Sequence, residues 1–339
     1  MKQSSDTSPI DPCPSFLTIP SKPQAPISYT FFPRASYSTL SESNVTLHHT
    51  LVVFVNGLGL PASSWESCIS VLRSHVKEAP PLLTFDRYGQ GLTTARDPLD
   101  DGNGYGHDFM DAANDLHEII LVVASKELGL EKTDAENGRL SVIFVAASVG
   151  VPIARLYVQS HPFICAALIA LDSNIANINF SDFLPDPLSP TFDPSTVLAP
   201  DCSLSRYIEA RTRLTNVFDL SVPNSESMDR RPGPRLLPCD DKPKLIGTNG
   251  KGPWLTVVGH DPVTFADASL KRMGTPKSMS MRFTNPHWAQ YNAGLVSITD
   301  EDRCEGVKIA SGCGHFIQTD DPDLVAEEIK AILKKLGLA

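Results

Sequence analysis

The chain has 339 residues, 41% of them apolar, and a formal net charge of −10. This length fits one large α/β domain or two small ones, and the acidic balance, without a block of basic residues, argues against nucleic acid as a partner. No apolar run is long enough to predict a membrane span, and no apolar segment typical of a secretory signal follows Met1. Seven scattered cysteines suit reduced thiols in the cytoplasm better than a disulfide framework. None has the spacing of zinc ligands, so we expect no metal, and the sequence leaves the oligomeric state open.

Apolar runs alternate with helical patterns from residue 50 onward, which indicates a parallel sheet with helices on both faces. The first strong strand signal, residues 51–55, is continuously apolar, as expected of a strand buried on both faces. An earlier, weaker strand is predicted over residues 27–33. The remaining predicted strands are residues 82–85, 141–145, 166–171, 255–258 and 307–310, and the predicted helices are residues 61–76, 108–128, 152–158, 204–218 and 323–336.

Two segments lie outside this alternation and suggest a division into domains. Residues 1–26 are rich in Pro and Ser and are predicted to be a loosely ordered tail. Residues 174–252 are rich in Pro, Asp, Ser and Asn and lie between two predicted core strands. We expect them to form a cap over the carboxyl edge of the sheet, with a possible second cap segment at residues 275–303. The core is then residues 27–173 and 253–339.

Ser148 stands at the tip of a strand–turn–helix segment that reads Ala-Ala-Ser-Val-Gly over residues 146–150. This context is that of a nucleophile elbow, in which a strained turn exposes a serine hydroxyl at the end of a buried strand. The flanking positions must be small because strand and helix nearly touch there. Ala146 replaces the usual first glycine and adds one methyl group. The pattern predicts that Ser148 is a nucleophile.

A serine nucleophile needs a base, and the base needs an orienting acid. His315 lies in a glycine-flanked loop after the last predicted strand, which favours it as the base. Asp261 follows the strand that ends at Val258 and is our first choice for the acid. Asp172, at the end of the preceding strand, is the alternative. His260, beside Asp261, is expected to be a packed neighbour rather than a second base. The carboxyl ends of parallel strands share one edge, so these side chains can converge there.

Backbone N–H groups must also hold the oxyanion that forms in acyl transfer. The turn after the first buried strand reads Asn56-Gly57-Leu58-Gly59. It predicts Leu58 N–H as one donor, paired with Val149 N–H directly after the nucleophile. Asn56 stands where histidine is usual in such loops.

These motifs together resemble the α/β-hydrolase superfamily, in the group of capped serine hydrolases that includes poorly characterised fungal members. The run from Asp86 to Gly91 resembles the D-x-x-G-x-G turn of that superfamily, and Gly314-His315-Phe316 followed by Asp321-Pro322 resembles its terminal histidine loop. The chain order Ser148, Asp261, His315 is the order expected there. The resemblance covers residues 50–337 and implies an α/β-hydrolase fold. It also disfavours epoxide hydrolase and haloalkane dehalogenase chemistry, which use aspartate at the elbow.

The sequence therefore predicts a serine hydrolase, without cofactor, that cleaves a small to medium ester, lactone or thioester through an acyl-enzyme. The same site could instead perform acyl transfer, lyase chemistry or C–C bond cleavage. A different class also remains open, that of a non-catalytic α/β-hydrolase that binds a small ligand. Cap side chains decide the substrate, and loop-rich caps resist interpretation from one sequence.

Overall fold

A computed structural model describes residues 12–34 and 49–339 of the chain. In this part the strands are β1 (Ser15–Ile19), β2 (Lys22–Phe32), β3 (His49–Val55), β4 (Leu82–Phe85), β5 (Leu140–Ala147), β6 (Cys165–Leu171), β7 (Trp254–His260) and β8 (Cys304–Ala310). The helices are α1 (Glu66–His75), α2 (Phe109–Leu128), α3 (Lys132–Asp134), α4 (Gly150–Ser160), α5 (Pro194–Val197), α6 (Leu204–Phe218), α7 (Gly233–Leu236), α8 (Pro262–Met273), α9 (Lys277–Met279), α10 (Asn285–Leu295), α11 (Ile317–Asp320) and α12 (Pro322–Lys335). Short 3-10 or π turns cover Ala62–Trp65, Ala135–Arg139, Phe180–Phe183, Thr248–Gly250, Ser280–Thr284, Val296–Ile298 and Glu301–Arg303.

The strands form one sheet in the order β1-β2-β4-β3-β5-β6-β7-β8. Strands β3 to β8 pair in parallel, whereas β1 and β2 add an antiparallel edge next to β4. The predicted strands and the α/β-hydrolase fold class are confirmed. Strand β4 has the predicted bounds, β3 and β5 to β8 extend one to three residues beyond the apolar runs, and β2 begins five residues earlier than predicted. Their parallel arrangement explains the continuous apolar runs, because helices cover both faces of the sheet.

Strand β3 shows how the two faces are covered. Val53 and Val55 belong to one buried cluster with α2 and α4, whereas Val52 and Phe54 belong to the other cluster with α1 and α12. All of these side chains have no exposed surface. A strand alternates its side chains between the two faces, so both sets must be apolar.

The N-terminal region differs from the sequence prediction. The expectation of a loosely ordered tail over residues 1–26 is wrong for residues 15–26, which form β1 and the start of β2. Burial explains the order: Ile19 and Ile27 are each 1% exposed in the larger core cluster. The Pro- and Ser-rich composition does not predict this hairpin, because only a few buried apolar side chains hold it against the core. Residues 1–11 lie outside the described residues.

The chain between β6 and β7, residues 174–252, contains the Phe180–Phe183 turn and helices α5, α6 and α7. Helix α6 packs on the Phe180–Phe183 turn and on α8. Its bounds, Leu204 to Phe218, are those that the sequence pattern predicts. The segment 275–303 folds into α9, α10 and short turns, and α10 packs against β7. No helix in the described ranges is both long and apolar enough to span a bilayer.

Gly150 permits the close approach of helix α4 to strand β3. A Cβ placed on Gly150 would lie 2.3 Å from the carbonyl oxygen of Val55 and 3.0 Å from that of Asn56. Both obstacles are backbone atoms of a buried strand end, which cannot move without disturbing the sheet. The second small position of the elbow must therefore be glycine in this chain. The first position, Ala146, accommodates its methyl group in the core with no exposed surface.

We predict that Gly150→Ala lowers the free energy of unfolding by about 1–3 kcal/mol, because the added methyl group overpacks the strand–helix contact. Helix propensity alone would predict a gain, since alanine favours helices over glycine. The matched control is Gly314→Ala, whose Cβ would meet its nearest neighbour at 3.5 Å, an ordinary contact. Urea unfolding of the two variants measures the difference. Equal midpoints for both would contradict the packing argument.

Candidate active site

Ser148 occupies a strained turn between β5 and α4. Its backbone has φ +53°, a left-handed conformation that costs a non-glycine residue about 1–2 kcal/mol. Three backbone hydrogen bonds hold it there: Ser148 N–H donates to Leu171 O at 3.0 Å, and the Ser148 carbonyl accepts from Val151 and Asn174, each at 3.1 Å. The flanking residues are buried while Ser148 is partly exposed. The elbow therefore presents its hydroxyl to the cavity above the sheet edge.

His315 makes the expected contact with Ser148. Its Nε2 lies 3.0 Å from Ser148 Oγ, within the range of a nucleophile–base hydrogen bond. The loop after β8 carries His315 to this edge. The structure thus brings together the two side chains that the sequence analysis paired.

The acid facing His315 is Asp172. Its Oδ2 lies 2.6 Å from His315 Nδ1, and the residue directly follows β6. An ionised carboxylate only accepts, so the Nδ1–H of His315 donates, which leaves Nε2 to accept from the serine hydroxyl. Ser148, His315 and Asp172 therefore form one hydrogen-bonded relay.

The placement expected for Asp261 is wrong. Asp261 caps helix α8: its Oδ1 accepts from Val263 N at 2.9 Å and Thr264 N at 3.0 Å. These backbone bonds lower the pKa of Asp261, led by the one from Thr264. Neighbouring residues of an extended chain project in opposite directions. Because His260 turns inward to Asp172, Asp261 turns outward to the helix.

His260 is more than a packed neighbour. Its Nδ1 lies 2.9 Å from both carboxylate oxygens of Asp172, and its backbone N–H donates to Oδ1 at 3.2 Å. Its ring stacks on Phe265 with centroids 4.2 Å apart, and its Nε2 lies 3.3 Å from Asn285 Oδ1. Sequence reasoning missed this contact. The only signal that could have indicated this contact is the pairing of β6 with β7, which places His260 at one strand end beside Asp172 at the other.

Asp172 has no exposed surface. Burial alone would raise the pKa of this carboxyl, but hydrogen bonds from His260 and His315 outweigh that effect and hold the pKa below its usual value. Asp172 is therefore ionised at neutral pH. The two imidazoles and one backbone N–H replace the water that the buried charge has lost.

The loop Asn56–Gly59 lies against the nucleophile. A Cβ on Gly57 would lie 3.3 Å from the Cβ of Ser148, and both Leu58 and Val149 line the cavity beside Ser148. Among the described residues, neither Leu58 N–H nor Val149 N–H has a protein acceptor. Two such donors beside a serine hydroxyl can hold a developing oxyanion.

Asn56 serves a different purpose from the histidine usual at its position. The side chain is 1% exposed and accepts from Trp65 Nε1 at 2.7 Å. Its Nδ2 donates to Phe85 O at 2.8 Å and to Gln90 Oε1 at 2.9 Å. Asn56 therefore braces the start of the loop between two strands and an aromatic ring.

A cavity of about 640 Å³ opens onto Ser148 and His315. Its wall is strongly aromatic and draws on residues 174–252, helix α8, helix α10 and the His315 loop; the aromatic residues are Phe180, Phe183, Phe218, Phe265, Trp288 and Phe316. Phe218 and Trp288 thus line the cavity. Tyr291 does not line it; this buried side chain accepts from Arg155 Nη1 at 3.1 Å.

Comparison with known proteins agrees with this architecture. A sequence profile of the alpha/beta hydrolase family matches residues 52–328, and a search of curated proteins finds no match. Among solved structures, the chain is similar to the peroxisomal alpha-beta-hydrolase Lpx1 of Saccharomyces cerevisiae (14% identity, 96% of this chain and 84% of that one, TM-score 0.53). It is also similar to an esterase of Thermogutta terrifontis (14%, 96% and 99%, TM-score 0.50) and to epoxide hydrolase VrEH1 of Vigna radiata (12%, 96% and 98%, TM-score 0.53).

At these identities the solved structures establish the fold alone. The profile match is broader evidence, because it spans most of the chain from β3 to α12 and includes the elbow, the loop after β3 and the terminal histidine. This chain is a member of the alpha/beta hydrolase family.

Proposed function

We propose that this protein is a serine hydrolase that cleaves a small to medium ester, lactone or thioester. The observation that carries the proposal is the relay from Ser148 through His315 to Asp172, with contacts of 3.0 Å and 2.6 Å, at the floor of an apolar cavity. The chemistry needs no cofactor.

The relay supports covalent catalysis in two steps, acylation of Ser148 and hydrolysis of the acyl-enzyme. Ser148 Oγ attacks the carbonyl carbon while His315 Nε2 takes the hydroxyl proton, and Asp172 stabilises the imidazolium that results. The N–H groups of Leu58 and Val149 hold the oxyanion. The tetrahedral intermediate then expels the alcohol or thiol, which receives the proton from His315. A water molecule, deprotonated by His315, releases the acid and restores Ser148.

The cavity wall supports an apolar substrate. Six aromatic side chains and several aliphatic ones face the space beside Ser148, and they exclude water from a bound acyl group. Esters are favoured over amides because an alkoxide or thiolate leaves more easily than an amide nitrogen.

We also propose that residues 174–252 form the cap of the enzyme and that residues 275–303 add a second cap segment. Phe180 and Phe218 of the first, and Thr284 and Trp288 of the second, line the same cavity as Ser148. The cytoplasmic location expected from the cysteines stays a prediction.

Three related activities are separated from ester hydrolysis by trapping experiments. Hydrolysis and acyl transfer both pass through an acyl-Ser148 adduct that mass spectrometry detects after rapid quenching, and an added alcohol acceptor tells them apart. Lyase chemistry produces no such adduct. C–C bond hydrolysis is recognised by its second product, in which the leaving carbon has gained a hydrogen and no alcohol or thiol is released. A non-catalytic ligand binder would react with neither esters nor a fluorophosphonate probe.

We predict that Ser148→Ala lowers p-nitrophenyl butyrate turnover at least about 1,000-fold, because the nucleophile is lost. Fluorophosphonate labelling should disappear with it. Ser160→Ala, at the exposed far end of helix α4, is the matched control and should keep both signals. Undiminished labelling of the Ser148 variant would rule out the proposed nucleophile.

We predict that Asp172→Asn lowers kcat about 10,000-fold, because an amide cannot hold His315 in the required tautomer. Asp261→Asn should change kcat by less than about 3-fold, since asparagine caps helices as well as aspartate does. Circular dichroism confirms that both variants fold. The reverse order of effects would return the role of the acid to Asp261.

A further inference from the structure

A buried polar network joins residues 174–252 to the loop Asn56–Gly59. Its centre is Glu226, which is 1% exposed. This carboxylate accepts from Gly59 N at 2.5 Å, Gln90 Nε2 at 3.0 Å, and Arg87 Nε and Nη2 at 2.9 Å and 3.1 Å. We call Glu226, Arg87 and Gln90 the Glu226 network. None of its members belongs to the relay.

A turn prepares Glu226 for this contact. Asn224 Oδ1 accepts from the backbone N–H groups of Glu226 and Met228, each at 3.2 Å, and Asn224 Nδ2 donates to Met228 O at 2.7 Å. Ser225 O accepts from Arg96 Nη1 at 2.6 Å. These bonds fix the backbone of the turn that carries Glu226.

The same network holds the carbonyl groups of the loop. Arg87 Nη1 donates to Asn56 O at 2.8 Å, and Arg87 Nη2 donates to Gly57 O at 3.0 Å. Gln90 Nε2 donates to Gly57 O at 2.9 Å. Gln90 Oε1 in turn accepts from Asn56 Nδ2 and Arg87 N, at 2.9 Å and 3.1 Å, which fixes the orientation of its amide.

The Gly57 carbonyl and the Leu58 N–H belong to one peptide unit. In a planar trans peptide these two groups point in opposite directions. With the carbonyl held by Arg87 and Gln90, the N–H must point to the other side of the loop. Gly57 packs on Ser148, and Leu58 lines the cavity. The Gly57 carbonyl also accepts from Leu60 N at 3.4 Å. A rotation of this peptide would therefore break three hydrogen bonds, one of them from a cation.

We propose that Glu226 is a positioning residue for the oxyanion-donating peptide Gly57–Leu58, acting through Arg87 and Gln90. Seating of residues 174–252 on the core then completes the oxyanion hole. This inference rests on the proposed serine hydrolase function. Loss of the carboxylate leaves the Arg87 guanidinium buried without its bidentate counterion. The guanidinium then no longer holds the carbonyl groups of Asn56 and Gly57 in place.

A simpler interpretation treats Glu226 and Arg87 as an ion pair that only anchors the cap. The two interpretations differ in kinetics. An anchor shapes the binding cavity and therefore moves KM, whereas a misdirected oxyanion donor loses stabilisation made only in the transition state and therefore lowers kcat.

The test is the isosteric variant Glu226→Gln, compared with wild type on p-nitrophenyl butyrate and with a trifluoromethyl ketone as transition-state analogue. We expect kcat to fall about 10- to 100-fold, a part of the 100- to 1,000-fold cost of losing one oxyanion donor. KM should stay within about 3-fold, and the inhibition constant of the ketone should rise in parallel with the fall in kcat/KM.

Asp229→Asn is the matched control. It removes a carboxylate three residues away that pairs with Arg231 at 2.8 Å, where the arginine side chain is 50% exposed. This pair does not touch the loop, so kcat should match wild type.

A second variant, Arg87→Lys, guards against a folding failure of Glu226→Gln. Lysine keeps the charge but cannot fork to Glu226 and both loop carbonyls at once, so the same selective loss of kcat is expected. Unchanged kcat in either folded variant, or a rise in KM alone, would overturn the inference while leaving the serine hydrolase proposal intact. Wild-type protein without ester turnover or Ser148 labelling would overturn both.

Discussion

The site is organised around one buried charge, the carboxylate of Asp172. A carboxylate without exposed surface is costly unless donors replace its water. His315, His260 and the His260 backbone supply those donors, and the same bonds fix the direction of each ring. The buried carboxylate thus orients both rings, because an imidazole that turned away would leave the carboxylate with one donor fewer and no water to replace it. As a result, His315 Nε2 faces Ser148 Oγ as a hydrogen-bond acceptor.

The backbone around Ser148 follows the same principle. The left-handed φ at the elbow persists because Leu171, at the end of β6, accepts from the Ser148 N–H, while Val151 of helix α4 and Asn174 donate to the Ser148 carbonyl. On the opposite side, Arg87 and Gln90 hold the carbonyl of Gly57 and so direct the neighbouring N–H. Both devices fix backbone groups before any substrate arrives, and such preorganised dipoles are the largest contribution to many enzymatic rates.

The cavity is assembled from distant parts of the chain. Phe180 and Phe218 come from the long connection between β6 and β7, whereas Phe265 and Trp288 come from helices that follow β7. His260 lies between Asp172 and this cavity wall, since it contacts the Asp172 carboxylate on one side and stacks on Phe265 on the other. The cavity wall and the Asp172 carboxylate therefore both contact His260, so changes in the wall can reach the relay through this residue.

The sequence by itself determined the fold family, strands β3 to β8, and the candidates for nucleophile and base. These follow from local signals: continuous apolar runs, an elbow of small residues around Ser148, and a glycine-flanked histidine after the last strand. The acid could not be determined in this way. Asp172, His260 and Asp261 all stand at strand ends, and their side-chain directions depend on where the ends of β6 and β7 fall relative to each other. Only tertiary structure decided that His260 points inward and Asp261 caps a helix. It also decided the hairpin at residues 15–32 and the reach of Glu226 to Gly59, because contacts across many intervening residues leave no periodic trace in the sequence.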